Sequence, residues 1–298
     1  MPTSAPRPIL IVKTGDTLDT LRPNMGDFEH WIETGLATGT GKGSGDKADP
    51  TNAHQPPPIQ VLDARHASPL PEPETLAGVV ITGSHAMVSD RETWSEALVP
   101  WLARLVQQDT PVLGICYGHQ LLAHALGGEV DYHPGGLELG TVPITLTPEA
   151  QADPLFAHLP AQLTAQVVHA QSVRALPPGA VRLAGNAHEP HQAYRIGAQA
   201  WGVQFHPEFS PAAMQGYVQH LAATLPTGRT PPMVQETPHA CSLLAQFAKL
   251  CRSAPIPLTD AHTPVPLEGQ GLVGAAPQGH THSQNSASAP CATPTGAK

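Results

Sequence analysis

Along the first half of the chain, short apolar runs closed by Pro or Gly alternate with longer stretches in which apolar residues return every three or four positions. Residues 9–12 (ILIV), between Pro8 and Gly15, predict a buried strand, and residues 59–62, 79–82 and 111–115 predict three more. Residues 25–33 have helical spacing. Trp94, Ala97, Leu98, Trp101, Leu102 and Leu105 form a stripe of helical period suited to packing on a sheet. Residues 118–126 predict another helix directly after the strand at 111–115. Strands alternating with helices imply an α/β fold, with a mainly parallel central sheet flanked by helices on both faces.

After Gly128 the pattern changes to short β runs at 142–146, 166–169, 181–184, 192–195 and 201–205, a small additional β region. A helix over 211–223 opens with Pro211 in its first turn, and apolar striping over 241–250 predicts a terminal docking helix. Two stretches lack such patterning. Residues 35–58, GLATGTGKGSGDKADPTNAHQPPP, are rich in breakers and read as a flexible surface insertion. Lys42 is followed by Gly43 rather than Ser or Thr, which argues against a phosphate-binding loop there. From Ser253 onward Pro, Ala, Thr, Gly, Ser and His dominate, too little apolar surface to offset ordering entropy, so a disordered tail is expected. The expected organisation is a domain over 5–225, a linker and docking helix over 226–252, and the tail over 253–298.

Composition adds limits. Of the 298 residues 40% are hydrophobic, enough for one sizeable core, and the formal charge of −9 argues against non-specific nucleic-acid binding, which needs a basic face. The four cysteines (116, 241, 251 and 291) include no CxxC pair. Cys241 and Cys251, on one predicted helix, would stand roughly 15 Å apart, too far to bridge. A disulfide framework is therefore not expected, and a reducing cytoplasm suits the chain. The start, MPTSAPRPILIVK, lacks the features of a signal peptide, and no run approaches the ~18 apolar residues of a membrane span.

The stretch PVLGICYGHQLLAHALGG, residues 111–128, carries the most chemistry. A strand runs into Gly114-Ile115-Cys116-Tyr117-Gly118 and a helix leaves it, the thiol counterpart of a G-x-S-x-G nucleophile elbow. The glycines allow a sharp turn, and the helix N-terminus favours thiolate. Taken alone, the motif also describes a small buried cysteine of an α/β core. The second stretch is Trp201-Gly202-Val203-Gln204-Phe205-His206-Pro207-Glu208-Phe209. Pro207 disfavours helical geometry at His206. In an extended segment, residues two apart share a side, so Glu208 is expected to reach the imidazole and hold its tautomer. Among 17 histidines a lone His-Pro-Glu says little, but joined to the elbow it completes nucleophile, base and orienter.

GICYGHQLLA and GVQFHPEFS resemble the two signature blocks of the class I, triad-type glutamine amidotransferases, closest to the stand-alone GMP-synthase-glutaminase-like branch. The resemblance covers roughly residues 5–225 and implies a flavodoxin-like three-layer fold. It assigns the catalytic roles to Cys116, His206 and Glu208. VVITGSHAMV at 79–88 resembles the strand and loop that supply an oxyanion-hole amide, here from Gly83 or Ser84 together with Tyr117; the family often has Gly-Gly-Pro where this chain has Gly83-Ser84-His85. Gln120, four residues past the nucleophile, matches a substrate-contacting glutamine. HAQSV at 169–173 resembles the segment whose backbone recognises the substrate's α-groups, through Ala170, Gln171 and Ser172, with His169-Ala170 replacing the usual His-Gly.

The implied reaction is attack of Cys116 on the side-chain amide of L-glutamine, release of ammonia, and hydrolysis of a glutamyl-thioester. No cofactor is implied. No ATP-using synthetase domain fits on the chain, so an ammonia-accepting partner would be another protein. Two other classes remain open: a γ-glutamyl amide or peptide hydrolase of the same fold, and a non-catalytic binding protein. His188-Glu189-Pro190-His191 is not H-E-x-x-H, and its proline forbids the helix that motif needs, so no metal site is expected. His119, His124 and His133 are expected to serve packing or polar satisfaction.

Overall fold

β1 (Ile9–Lys13) is buried at all five positions, with Ile9 and Ile11 facing one side of the sheet and Leu10 and Val12 the other. The computed structural model describes residues 6–38, 57–66, 69–224 and 232–253. After β1 come α1 (Arg22–Met25), α2 (Phe28–Thr38), β2 (Ile59–Asp63), β3 (Gly78–Ile81), α3 (Thr93–Gln107), β4 (Val112–Ile115) and α4 (Tyr117–Ala125). Then follow β5 (Glu129–Tyr132), β6 (Glu138–Leu146), β7 (Gln162–His169), β8 (Gln171–Ala175), β9 (Val181–Gly185), β10 (Ala193–Ile196), β11 (Ala200–Val203), α5 (Pro211–Leu221) and α6 (Pro238–Ser253).

Among the described residues nine strands form a sheet in the order β2-β1-β3-β4-β11-β10-β9-β6-β7. The first five pair in parallel. From β11 onward the pairing is antiparallel, so the β-rich region extends the central sheet; β5 and β8 pair apart from it. Helices cover both faces. Ile32 and Leu36 of α2 and Leu243, Leu244 and Phe247 of α6 pack with Ile9, Ile11, Leu113 and Trp201. On the other face, Leu98, Trp101, Leu102 and Leu105 of α3 and Leu121 and Leu122 of α4 pack with Leu10, Val12, Val79 and Val112. Each fully buried side chain of this size contributes on the order of 1.5–3 kcal/mol. This is the three-layer arrangement that the alternating pattern predicts.

The predicted insertion at 35–58 needs correction at its start. Residues 35–38 complete α2, where Leu36 is buried and Gly35 lies so close to Leu244 that a Cβ would stand 2.3 Å from its Cδ1. Contact with α6, which the local sequence does not announce, keeps this glycine helical. Residues 39–56 of that insertion, and the predicted tail from 254 onward, lie outside the described residues. β5 and β8 were not predicted, because β5 is largely exposed and shows no apolar alternation. Among the described residues no helix is long and apolar enough to cross a membrane.

Candidate active site

Cys116 stands between β4 and α4, at the carboxyl end of a central parallel strand, where open α/β sheets place their ligands. Its backbone has φ 49° and ψ −98°, a positive φ that costs a non-glycine residue on the order of 1–3 kcal/mol. The surroundings hold it there: its N–H donates to Val203 O (2.8 Å), and its C=O accepts from Gln120 N (3.1 Å). The flanking glycines are needed for space. A Cβ on Gly114 would lie 2.4 Å from Gly118 O, and one on Gly118 would lie 2.6 Å from Ile81 O. The elbow therefore locks strand, turn and helix together around one thiol, whose Sγ faces Val168 O at 3.8 Å.

β11 pairs with β4 so that Val203 lies opposite Ile115, and the chain leaving β11 emerges beside Cys116. His206 forms an isolated bridge with Gln166, its N–H donating to Gln166 O at 2.8 Å. The chain then turns, with Phe209 N donating to His206 O (3.4 Å). Glu208 thus reaches the imidazole through a turn, not through the extended spacing expected from sequence. His206 Nδ1 donates to Glu208 Oε1 at 2.7 Å, with the two side chains 3% and 0% exposed. Phe209 packs on the ring at a centroid distance of 4.2 Å, and Nε2 has no hydrogen-bond partner among the described residues. Burial pushes the pKa of His206 down, but the Glu208 carboxylate and the Cys116 sulfur outweigh it and raise it to about 10.

Gly83 fits into this arrangement from the other side. A Cβ there would stand 3.1 Å from His206 Cε1 and 3.9 Å from the Cβ of Cys116, so only glycine leaves the ring undisturbed.

In front of Cys116 lies a cavity of ≈ 410 Å³ whose wall includes Ser84, His85, Tyr117, Gln120, Val168, Ala170, Gln171 and Tyr217. Ser84 and Tyr117 line the same cavity as Cys116, and Tyr117 opens α4, whose first-turn N–H groups favour negative charge. Gln120 Nε2 donates to Gln171 O (2.8 Å) and Gln204 Oε1 (2.9 Å), so its amide braces the opposite wall. The Gln171 side chain is turned to Ser89, donating to its Oγ at 2.5 Å. Ser172 does not line the cavity; its hydroxyl accepts from Arg174 at 3.2 Å.

Sequence reasoning missed four residues at or behind the cavity wall. His85 Nε2 and Thr17 Oγ1 each lie 3.1 Å from the Tyr217 hydroxyl, fixing His85 and Tyr217 on the wall. Burial, and then the charge of His206, lower the pKa of His85. Glu138, buried in β6, accepts from His169 Nε2 (2.9 Å), Gln192 (2.8 Å) and Asn186 (2.8 Å), and so steadies the wall residue His169. A lone Glu inside Gly-Leu-Glu-Leu-Gly was the available signal. Other histidines have local contacts, although neither ring nitrogen of His119 has a hydrogen-bond partner among the described residues. His119 is fully buried against Tyr194 at 4.8 Å, and burial lowers its pKa to about 3. His124 meets Glu96 (3.0 Å), His133 stacks on His188 (4.0 Å), and His191 Nδ1 donates to Val173 O (2.7 Å). Among the described residues no three His, Cys, Asp or Glu side chains are grouped to hold a metal ion.

The family described as "Glutamine amidotransferase class-I" has a model that matches residues 59–221. A GMP synthase [glutamine-hydrolyzing] of Parasynechococcus marenigrum is 31% identical over 172 residues, covering 53% of this chain and 30% of that protein. One from Porphyromonas gingivalis is 38% identical over 141 residues, covering 46% and 26%. The chain thus spans less than a third of the curated relatives it matches. Among solved structures, a glutamine amidotransferase from Methylobacillus flagellatus aligns with a TM-score of 0.60 at 24% identity, covering 84% of this chain and 94% of the other. A glutamine amidotransferase from Thermotoga maritima aligns with a TM-score of 0.54 at 18% identity, covering 82% and 95%.

Proposed function

Because the chain belongs to the class-I glutamine amidotransferase family, we propose that it hydrolyses the side-chain amide of L-glutamine with Cys116 as nucleophile, His206 as general acid and base, and Glu208 as its orienter. The observation that carries this reading is the strained Cys116 facing a cavity, with a buried His206–Glu208 pair behind it. The thiolate attacks the amide carbon. The oxyanion accepts from the Tyr117 N–H and from Gly83 or Ser84, at the positively polarised end of α4. The His206 imidazolium gives its proton to the leaving nitrogen, and ammonia departs from a glutamyl-thioester. The neutral ring then takes a proton from water, which attacks the thioester and releases glutamate and the Cys116 thiolate. Ala170 and Gln171 offer backbone groups to the α-amino and α-carboxylate groups. The ammonia passes to a synthetase active site, in keeping with the names of the curated relatives.

One observation favours a second reading, a γ-glutamyl amide hydrolase. A polar cavity of ≈ 550 Å³ shares Leu18, Ser84, His85, Ala86 and His220 with the first, leaving room for a leaving group larger than ammonia. Steady-state kinetics on L-glutamine and on γ-glutamyl-alkylamides discriminate the two. A kcat/KM at least tenfold higher for glutamine supports the glutaminase; the reverse order assigns the hydrolase. No turnover of either substrate contradicts both.

A further inference from the structure

Residues 232–237 lead into α6, lie beyond the family-matched residues 59–221, and press on the strand that holds the catalytic histidine. Thr141 N of β6 donates to Met233 O at 3.1 Å. Gln235 N then donates to Thr141 Oγ1 (3.0 Å), Thr141 Oγ1 donates to Gln166 Oε1 (2.9 Å), and Gln166 Nε2 donates to Gln235 O (2.7 Å). A backbone N–H can only donate and a carbonyl can only accept, so this closed ring fixes the hydroxyl and the amide in one orientation each.

Gln166 is fully buried and pairs with His206, whose N–H donates to its backbone oxygen at 2.8 Å. Two residues along β7, Val168 O is the group that faces the Cys116 thiol. Val234 meanwhile packs in the cluster containing Phe209, the ring stacked on His206. One short segment therefore bears on His206 through its backbone and through its ring.

We propose that Gln166 is a positioning residue for His206, held in register by residues 232–237, which makes this segment part of the working site as well as the tether of α6. Gln166 is absent from the cavity wall and acts only through the backbone it holds. The imidazole must meet both the thiol and the leaving nitrogen. A displacement of a few tenths of an ångström is worth about tenfold in rate, scaled from the roughly hundredfold cost of a 1 Å misplacement. The inference rests on the triad role of His206 proposed above.

The test uses Thr141→Val, which removes the hydroxyl at constant shape, Gln166→Leu, the double variant, and Thr141→Ser, which restores the hydroxyl. For each, kcat and KM for glutamine are measured, together with the rate of Cys116 alkylation by iodoacetamide, read by peptide mass mapping, and the melting temperature. Thr141→Val and Gln166→Leu are expected to lower kcat about tenfold with KM within about twofold of wild type, and to slow Cys116 alkylation in parallel. The double variant is expected to be no worse than the poorer single one, because both break one ring, and Thr141→Ser is expected to match wild type. A lowered melting temperature with unchanged kcat and alkylation overturns the proposal, as does equal loss in Thr141→Val and Thr141→Ser. If wild type releases no ammonia from glutamine yet alkylation slows in Thr141→Val, the glutaminase reading fails and the positioning role stands.

Discussion

Glu208→Gln exchanges one oxygen for a nitrogen at nearly constant shape, so it isolates the effect of charge on His206. The Glu208 side chain is 0% exposed and that of His206 3%, so water cannot replace the lost carboxylate. In the wild type, burial lowers the imidazole's pKa, and Glu208 and Cys116 together overcome it and raise the value to about 10. Without that carboxylate the imidazole's pKa is expected to fall from about 10, because burial is then opposed by Cys116 alone. As pH rises the variant's imidazole then loses its proton earlier than the wild type's, and with it the ability to protonate the leaving nitrogen and to stabilise the thiolate. The loss in kcat/KM is expected to be on the order of 10²–10⁴, some activity remaining from binding and the oxyanion donors. Stability follows the same proton. A folded-state pKa above the unfolded one contributes fully below about pH 6.5, and that contribution is lost as pH rises through about 10. The wild-type melting temperature should therefore decline across that window, and the variant's should decline less. Removing one partner of a buried pair costs about 3–5 kcal/mol. Initial rates of ammonia release, coupled to NADH oxidation between about pH 5.5 and 10.5, check the first point, and thermal melts over the same range check the second. An unchanged alkaline limb in Glu208→Gln would refute the role of Glu208 in holding the charge of His206.

Cys116→Ala is expected to retain the melting temperature within a few degrees and less than about a hundredth of the glutaminase activity, measured as ammonia release at saturating glutamine. Gly83→Ala places a methyl group 3.1 Å from His206 Cε1, so kcat should fall about tenfold while the circular dichroism spectrum is unchanged. Leu244→Ala opens a hole where α6 meets α2 and should cost roughly 2–5 kcal/mol in urea unfolding. A cost below about 0.5 kcal/mol would show that α6 is not part of the core.

Much of the fold was legible because its signals are local and strong. The run at 9–12 is apolar at every position because β1 is covered on both faces, and the striping of α3 matches the buried Leu98, Trp101, Leu102 and Leu105. The elbow was legible because Gly114 and Gly118 are spacing requirements written into the sequence around Cys116. What escaped was set by distant contacts. Gly35 reads as a breaker, yet it stays helical because Leu244, more than two hundred residues away, closes on it. The pairing of β5 with β8 depends on register across the chain rather than on the alternation of either strand. The His206–Glu208 contact was foreseen on an extended segment and arises from a turn; Pro207 excludes a helix without choosing between those two. His85 and Tyr217 are separated by 132 positions and meet only through the packing of α5 beside the loop after β3.

The central claim is that Cys116 is the nucleophile toward the γ-carbonyl of a glutamine-like substrate. A glutamine-mimicking diazo-ketone, incubated with the protein and followed by intact-mass and peptide mass spectrometry, tests it most directly. The account predicts one adduct per chain, located on Cys116, slowed by excess L-glutamine, absent in Cys116→Ala, and matched in time by loss of ammonia release. An adduct on another cysteine, or full loss of activity with Cys116 unmodified, would contradict it.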